Sequence, residues 1–582
     1  MTERRGQAIA WAPFGVLPSS GSSLLKDLPI VVAGLALFYG LISLARYWTG
    51  TVNTNTEIHL TPWALPRYAL FSVARLTIAY LVSLVVTLVY AWVAAHNARA
   101  ERILIPMLDT LQSIPVLSFL PGVMVSMVTL FPTRQLGVEL GSILLIFTGQ
   151  VWNMTFSVYS SMKSIPREMS EAAQIYRLSW WQRFTQLELP YSAIGLVWNS
   201  MMSVAGGWFF LMPCEMFVLG KRDLRLPGLG SYLQTAANAG NTGAILWGVF
   251  AMILVIVLMD QLIWRPVIAW SDKFKFEQVE SAQAPRSPIL TMLRHSEVVA
   301  KVSRVTLDPA REAITMFFAR REAELRPAPG RGGARKWLGW AVALAAMGGL
   351  LYGAIGMVVM LAGVTGSDMR HIFIGAGATF LRVELTLVLA ALWTIPVGVY
   401  VGLRPQVSAV VQPLAQIAAS VPATALFPIV LLMLIRVGGG MGIAAIVLLL
   451  LGTQWYLLFN VIAGAMAIPT DLKEVCDIYQ LGTVQRWRKL LLPAIFPYLL
   501  TGLVTASGGA WNASIVAEYF HFNKKTIATT GLGATISAAT DAGNFPLLLA
   551  ATVMMVAMVV TINRLLWRRL YGLAQTRYKL ET

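Results

Sequence analysis

The carboxylates that could do chemistry in this chain come in pairs 303 positions apart, Glu171 with Glu474 and Glu215 with Glu518. Pro166/Pro469, Tyr176/Tyr479, Pro190/Pro493, Trp208/Trp511, Gly228/Gly531, Gly230/Gly533 and Trp264/Trp567 share the offset of 303. A second set, Arg75/Arg382, Pro106/Pro413, Pro115/Pro422 and Pro121/Pro428, lies 307 apart, so the second copy has lost four residues between the sets. Half of the chain is therefore a copy of the other half. Bond-making chemistry is not what these residues suggest. No His-Glu-x-x-His or Cys-rich metal cluster accompanies them, His occurs only five times, and no G-x-x-x-x-G-K-[ST] stretch provides an ATP site. Sparse charges in an apolar chain can instead hold an ion, line a path or grip a partner.

The elements that must position them are membrane helices. Hydrophobic residues make up 57% of the chain and charged residues 13%, about half the charged share of a soluble domain. Twelve segments read as spans, because irregular backbone is costly in lipid: 29–47, 69–95, 112–132, 139–161, 192–217 and 243–265, then 337–363, 379–402, 415–435, 438–464, 495–519 and 544–566. The net charge of +17 is mostly topology. Basic residues gather at MTERR, at Arg99–Arg102, in 271–336 and near the C-terminus, all on one side of the membrane if each half has six spans. By the positive-inside rule that side is the cytoplasm, with both termini there. This distribution argues against a nucleic-acid partner. Cys214 and Cys476 fall on opposite sides, so no disulfide framework is expected. The expected order is a cytoplasmic segment 1–28, a first half 29–270, a linker 271–336 with amphipathic pieces near 288–305 and 309–325, a second half 337–575 and a tail 576–582.

Most functional information sits in two polar segments, 163–190 and 466–493, each between the fourth and fifth spans. Each places a Pro at a helix start, then a short amphipathic helix with Glu171 or Glu474 near its positive end. A Leu-Pro follows, where the next span is expected to begin. Such a helix, anchored at both ends by spans, can pass a push from a soluble partner into the membrane. These segments resemble the EAA loop of the permeases of type I ABC importers, the binding-protein-dependent class. Glu171-Ala172-Ala173 and Leu187-Glu188-Leu189-Pro190 match the loop pattern. The second copy keeps Glu474 and Leu492-Pro493 but carries Val475-Cys476, and the pattern's central Gly is replaced by Arg177 and Gln480, with Gly482 two residues on. Trp-x6-Glu followed by Gly-Leu-Gly is similar to the nitrate/sulfonate/taurine/bicarbonate branch.

The resemblance implies an all-α polytopic membrane protein in which two six-helix permease domains, about twelve transmembrane helices in all, form a pseudo-dimer in one chain. It implies residence in a bacterial inner membrane and two ATP-binding cassette subunits that grip Glu171, Ala172, Ala173, Tyr176, Arg177, Glu474, Tyr479, Gln480 and Gly482. It implies that ATP and Mg bind those subunits, with no cofactor on this chain, and that a periplasmic or lipid-anchored solute-binding protein delivers a small anion. For the translocation path or its gate the candidates are Arg75, Gln150, Trp152, Asn153, Trp208, Glu215, Arg382, Trp511, Asn512 and Glu518. The outer basic pairs Lys221-Arg222 and Lys524-Lys525 could gather an anion, dock the binding protein or pair with Glu215 and Glu518. Packing or snorkelling is the competing role for Arg75, Arg382, the tryptophans and the amides. The alternative function is a secondary transporter driven by an ion gradient. It needs buried acidic or His coupling sites, of which the spans look nearly free.

Overall fold

The computed structural model describes residues 47–48, 50, 57–133, 135–219, 222–274, 288–324, 332–436, 440–522 and 525–577. The expected first span, Tyr47 apart, lies outside them, as do Lys221 and Lys524. The protein is an all-α polytopic membrane protein. Among the described residues seven helices are long and apolar enough to cross a bilayer: Pro62–His96, Trp180–Glu215, Thr242–Ser271, Gly366–Gly402, Met441–Met466, Thr483–Ala517 and Phe545–Ala574. Shorter apolar helices cover Val116–Leu130, Met347–Leu361 and Ala423–Leu434. Leu136–Lys163 is the long helix that occupies the expected fourth span of the first half.

Two expectations need correction, and proline is the reason for both. The third span is not one helix in either half. One helix ends at Ser113 and another begins after Pro115; in the copy the break falls between Ser420 and Ala423, at Pro422. Each proline forces its predecessor out of helical geometry, and Ile114 and Val421 are extended, with ψ of 127° and 117°. The fifth span starts a dozen residues before its expected bound, at Trp180 and Thr483, so the Leu-Pro is inside a helix. A π turn at Phe184–Glu188 and its copy at Trp487–Leu491 shift the hydrogen-bond register just ahead of Pro190 and Pro493. The shift prepares the helix for a residue with no N–H to donate. Even this irregularity is duplicated, as is a second pair of π turns at Asp260–Trp264 and Asn563–Trp567.

One hydrophobic cluster runs through both halves, with Leu76, Leu145, Trp208 and Tyr232 from the first and Leu448, Trp511, Leu532 and Met555 from the second. The halves interlock reciprocally. Leu117 N, at the third span of the first half, donates to Asn512 Oδ1 on the fifth helix of the second at 3.4 Å, and its copy Thr424 lies 3.3 Å from Met212 Sδ on the fifth helix of the first. This is the self-complementary arrangement expected of a dimer fused into one chain. After each fifth helix a small antiparallel hairpin follows, Val218–Leu219 with Arg222–Asp223 and Tyr519–Phe522 with Lys525–Ala528.

Candidate functional site

The two polar segments fold alike. Short helices cover Arg167–Ile175 and Thr470–Ile478, with Pro166 and Pro469 as their N-caps. Each buries one small side chain, Ala173 or Cys476, and leaves Glu171 or Glu474 exposed. At each C-terminal end an Ile-Tyr pair stands free of the protein: Ile175 and Tyr176 are both 79% exposed, Ile478 75% and Tyr479 74%. Both helices stop in a Schellman motif, which satisfies their last carbonyls. Leu178 N donates to Ala173 O and Arg177 N to Gln174 O; in the copy Leu481 N donates to Cys476 O and Gln480 N to Asp477 O, all at 3.0 Å. The motif needs a left-handed residue after the helix, and the two that supply it are Arg177 (φ 49°) and Gln480 (φ 46°). Among the described residues these are the two non-glycine positions with positive φ. The position where the loop pattern carries Gly has thus kept the conformation and lost the residue suited to it. Ser179 then opens the next helix with a capping box to Gln182, whereas Gly482 caps the copy without a side chain.

What holds the two loops differs. In the first half Arg183 Nε donates to Glu188 Oε1 at 2.8 Å and its Nη2 to Ser170 Oγ at 3.2 Å. His96 Nε2 lies 2.9 Å from the same Glu188 oxygen, which ties the loop to the end of the second span. Beside it, Tyr159 and Lys163 donate to Glu101 at 2.6 and 2.8 Å. Those donors, Lys163 first, hold the Glu101 carboxyl below the usual carboxylate range. In the second half His96, Glu188, Tyr159 and Lys163 correspond to Leu403, Leu491, Ile462 and Met466, while Arg183 corresponds to Arg486, which pairs with Asp477 instead. There an apolar cluster of Ile468, Cys476, Leu490, Leu491 and Ile495 anchors the loop, with Leu403 packed against it. The linker also takes sides. Phe318, on its helix Asp308–Glu324, stacks on Trp181 at 4.5 Å and meets Trp180 edge-on at 5.0 Å. The second half offers Thr483 and Val484 at those positions.

Arg75, a candidate for the path, is fully buried in a cluster of ion pairs. Its guanidinium grips Glu139 with two bonds of 2.6 and 2.7 Å, and Nη1 donates to Glu215 at 2.8 Å and to Pro227 O at 3.0 Å. Ser72 donates to Glu215 at 2.6 Å and accepts from Leu229 N at 3.0 Å, while Gly230 N donates to Glu215 at 2.8 Å. The second half repeats this with Arg382, Thr379, Leu532 N and Gly533 N around Glu518. Gly442 stands at Glu139's position, and Thr529 accepts from Arg382 at 3.4 Å instead. The spacing from Glu to Gly-Leu-Gly now has a cause. A Cβ on Gly228 or Gly531 would sit 2.2 or 2.1 Å from the carboxylate of Glu215 or Glu518. Two conclusions from sequence change here. Arg75 and Arg382 pair with Glu215 and Glu518, a role expected from sequence of the outer basic pairs. The spans contain fully buried carboxylates, Glu139, Glu215 and Glu518. Each of these is paired with an Arg, whereas Glu384, half-buried in the same span as Arg382, has a carboxyl oxygen without a hydrogen-bond partner among the described residues. Of the basic pairs, Arg222 lies in its hairpin strand and Lys525 is exposed on the other.

Two cavities open between the halves. One of about 550 Å³ is bordered by Arg225, His521 and Asp541 near the hairpins. Beside it, burial lifts the Tyr519 phenol to about 12, with Asp541 adding to the shift. The other, of about 380 Å³, is bordered by Trp198, Phe209, Gln412, Gln416, Trp455 and Asn512. Of the ten expected path residues, Asn512 alone borders either cavity. Trp208 and Trp511 are core, 2% and 1% exposed. Gln150 is buried, its amide packed where a Cβ on Gly207 would fall. Trp152 is half-buried and Asn153 exposed, away from both cavities. Their copies at offset 303, Trp455 and Tyr456, do border the smaller cavity. The repeat itself was the signal that would have found them.

The family model described as "Binding-protein-dependent transport system inner membrane component" matches residues 83–263 and 394–575. Among similar proteins, the bicarbonate transport system permease protein CmpB of Synechococcus elongatus is 33% identical over 141 residues, 24% of this chain and 49% of that protein. The nitrate import permease protein NrtB of Leptolyngbya laminosa is 30% identical over 154 residues, covering 26% and 53%. The taurine transport system permease protein TauC of Escherichia coli is 29% identical over 162 residues, covering 28% and 55%. The chain thus spans about half the length of the curated relatives it matches. Two family domains, one in each copy and together spanning more than half of the residues, make this chain a member of the binding-protein-dependent transport system inner membrane component family.

Proposed function

We propose that the chain is the membrane permease of an ATP-driven importer, in which one polypeptide supplies both halves of the translocation path. The observation that carries this reading is the duplicated Ile-Tyr tip, an exposed apolar knob beside an exposed Glu at the end of a helix anchored on both sides by membrane helices. Each tip docks one ATPase subunit, which binds ATP and Mg, and this chain hydrolyses nothing. A solute-binding protein docks on the opposite face at the hairpins. The solute is an anion, in line with the bicarbonate, nitrate and taurine permeases to which the chain is similar. The membrane is a bacterial inner membrane, with both termini in the cytoplasm. Replacing Tyr176 and Tyr479 together by Asp tests the docking. The expected result is loss of the co-purifying ATPase and of uptake, with the chain still folded. Retention of both would refute the proposal.

A further inference from the structure

The smaller cavity between the halves carries no Lys, Arg, His, Asp or Glu on its described wall. A bare oxyanion entering it would leave water without meeting a fixed positive charge, and dehydration of an ion is costly unless it is paired. Such an ion would also fill little of the roughly 380 Å³, when a water molecule occupies about 30 Å³. The wall suits an organic body. Trp198, Phe209, Phe210, Trp455, Tyr456 and Phe459 give it aromatic surface. Met201 and Met202 add flexible thioethers that adapt to the shape of a guest. Polar groups are few and neutral, as in pockets that bind small organic molecules. Gln416 directs its amide Nε2 at Met201 Sδ, 2.7 Å away on the same wall, a weak acceptor that a charged oxygen would displace. Asn512 adds a second amide, whose nitrogen also donates to Gly508 O at 3.2 Å.

We propose that this cavity holds the solute in transit, and that the solute is an organic anion: a carboxylate or sulfonate on an aryl or branched alkyl body. The inference rests on the permease reading above and adds the substrate class to it. Burial of the apolar body offsets the dehydration of the charged end, which the amides alone cannot do; nitrate and bicarbonate have no such body to bury.

Gly206 and Gly509, one from each fifth helix, border the cavity and provide the test. A Cβ on Gly206 meets nothing within 4 Å, and one on Gly509 meets Thr453 and Tyr456 at an ordinary 3.5 Å, so a larger side chain at either enters the space without a clash at its root. The full chain in lipid nanodiscs is titrated calorimetrically with p-toluenesulfonate, nitrate and tetraethylammonium. The sulfonate is expected to bind roughly tenfold or more tighter than nitrate, and Gly206→Leu or Gly509→Leu to weaken it roughly tenfold. Gly508→Leu, off the wall, leaves sulfonate binding as it was. The substrate class is overturned if nitrate or tetraethylammonium binds as tightly as the sulfonate, if the sulfonate does not bind, or if both folded Leu variants bind it normally. Co-purification of the ATPase reads the permease proposal separately, so either can fail without the other.

Discussion

Among the described residues Arg177 and Gln480 are the two non-glycine positions that hold a left-handed backbone, which an L side chain resists. That conformation costs about 1–2 kcal/mol, against roughly 0.5–1 kcal/mol of extra unfolded-state entropy for a glycine. Arg177→Gly and Gln480→Gly should therefore each stabilise by about 0.5–1 kcal/mol, read as slower hydrogen exchange at Leu178 and Leu481. Faster exchange would show that the side chains themselves hold the turn. The buried arginines allow a sharper comparison. Removing one partner of a buried pair costs about 3–5 kcal/mol, and Arg75→Met strands two carboxylates where Arg382→Met strands one. Thermal unfolding in detergent should rank Arg75→Met as the more damaging. Equal losses would mean that Glu139 is accommodated without its arginine. Sequence displayed Arg75, Glu215 and Gly228 as repeated positions but not as one cluster. Arg75 and Glu215 meet across 140 positions on different helices, and no local pattern encodes that.

At the scale of elements, the two loops are the same shape held by different forces. The first is tied by Arg183 and His96 to the buried Glu188, whereas the second rests on apolar packing around Leu491 with a more exposed Arg486–Asp477 pair. Glu101, held low by Lys163 and Tyr159, contributes stability in full above the ordinary carboxylate value. The contribution is lost as pH falls through its lowered one. The difference in melting temperature between wild type and Glu101→Gln should therefore shrink as pH drops below about 4; a constant difference would assign the effect to packing. The linker adds to the asymmetry. Phe318→Ala should raise hydrogen exchange in 308–324 and in the first loop, with the second loop unchanged. Unaltered exchange in 308–324 would reduce the ring stack to a passive contact. The polar segments, their short helices and their caps were legible because Pro, Glu and Leu-Pro mark them locally. The true start of each fifth helix was not, since a π turn lets a proline sit inside a helix where sequence reads a boundary.

For the whole molecule, the repeat foretold a fused dimer, and the interlocked halves with one shared core have that form. The repeat could not foretell where the copies stop matching in space. The smaller cavity takes Trp198, Gln412 and Trp455 but not their copies Thr501, Ile105 and Trp152, so symmetric positions face different surroundings. The central claim is that one chain carries two ATPase grips, one in each half. Native mass spectrometry of the complex purified from its own membrane tests this most directly. The account predicts one chain with two ATPase subunits, one subunit after either Tyr176→Asp or Tyr479→Asp, and none after both. Two ATPase subunits retained by the double variant would contradict it.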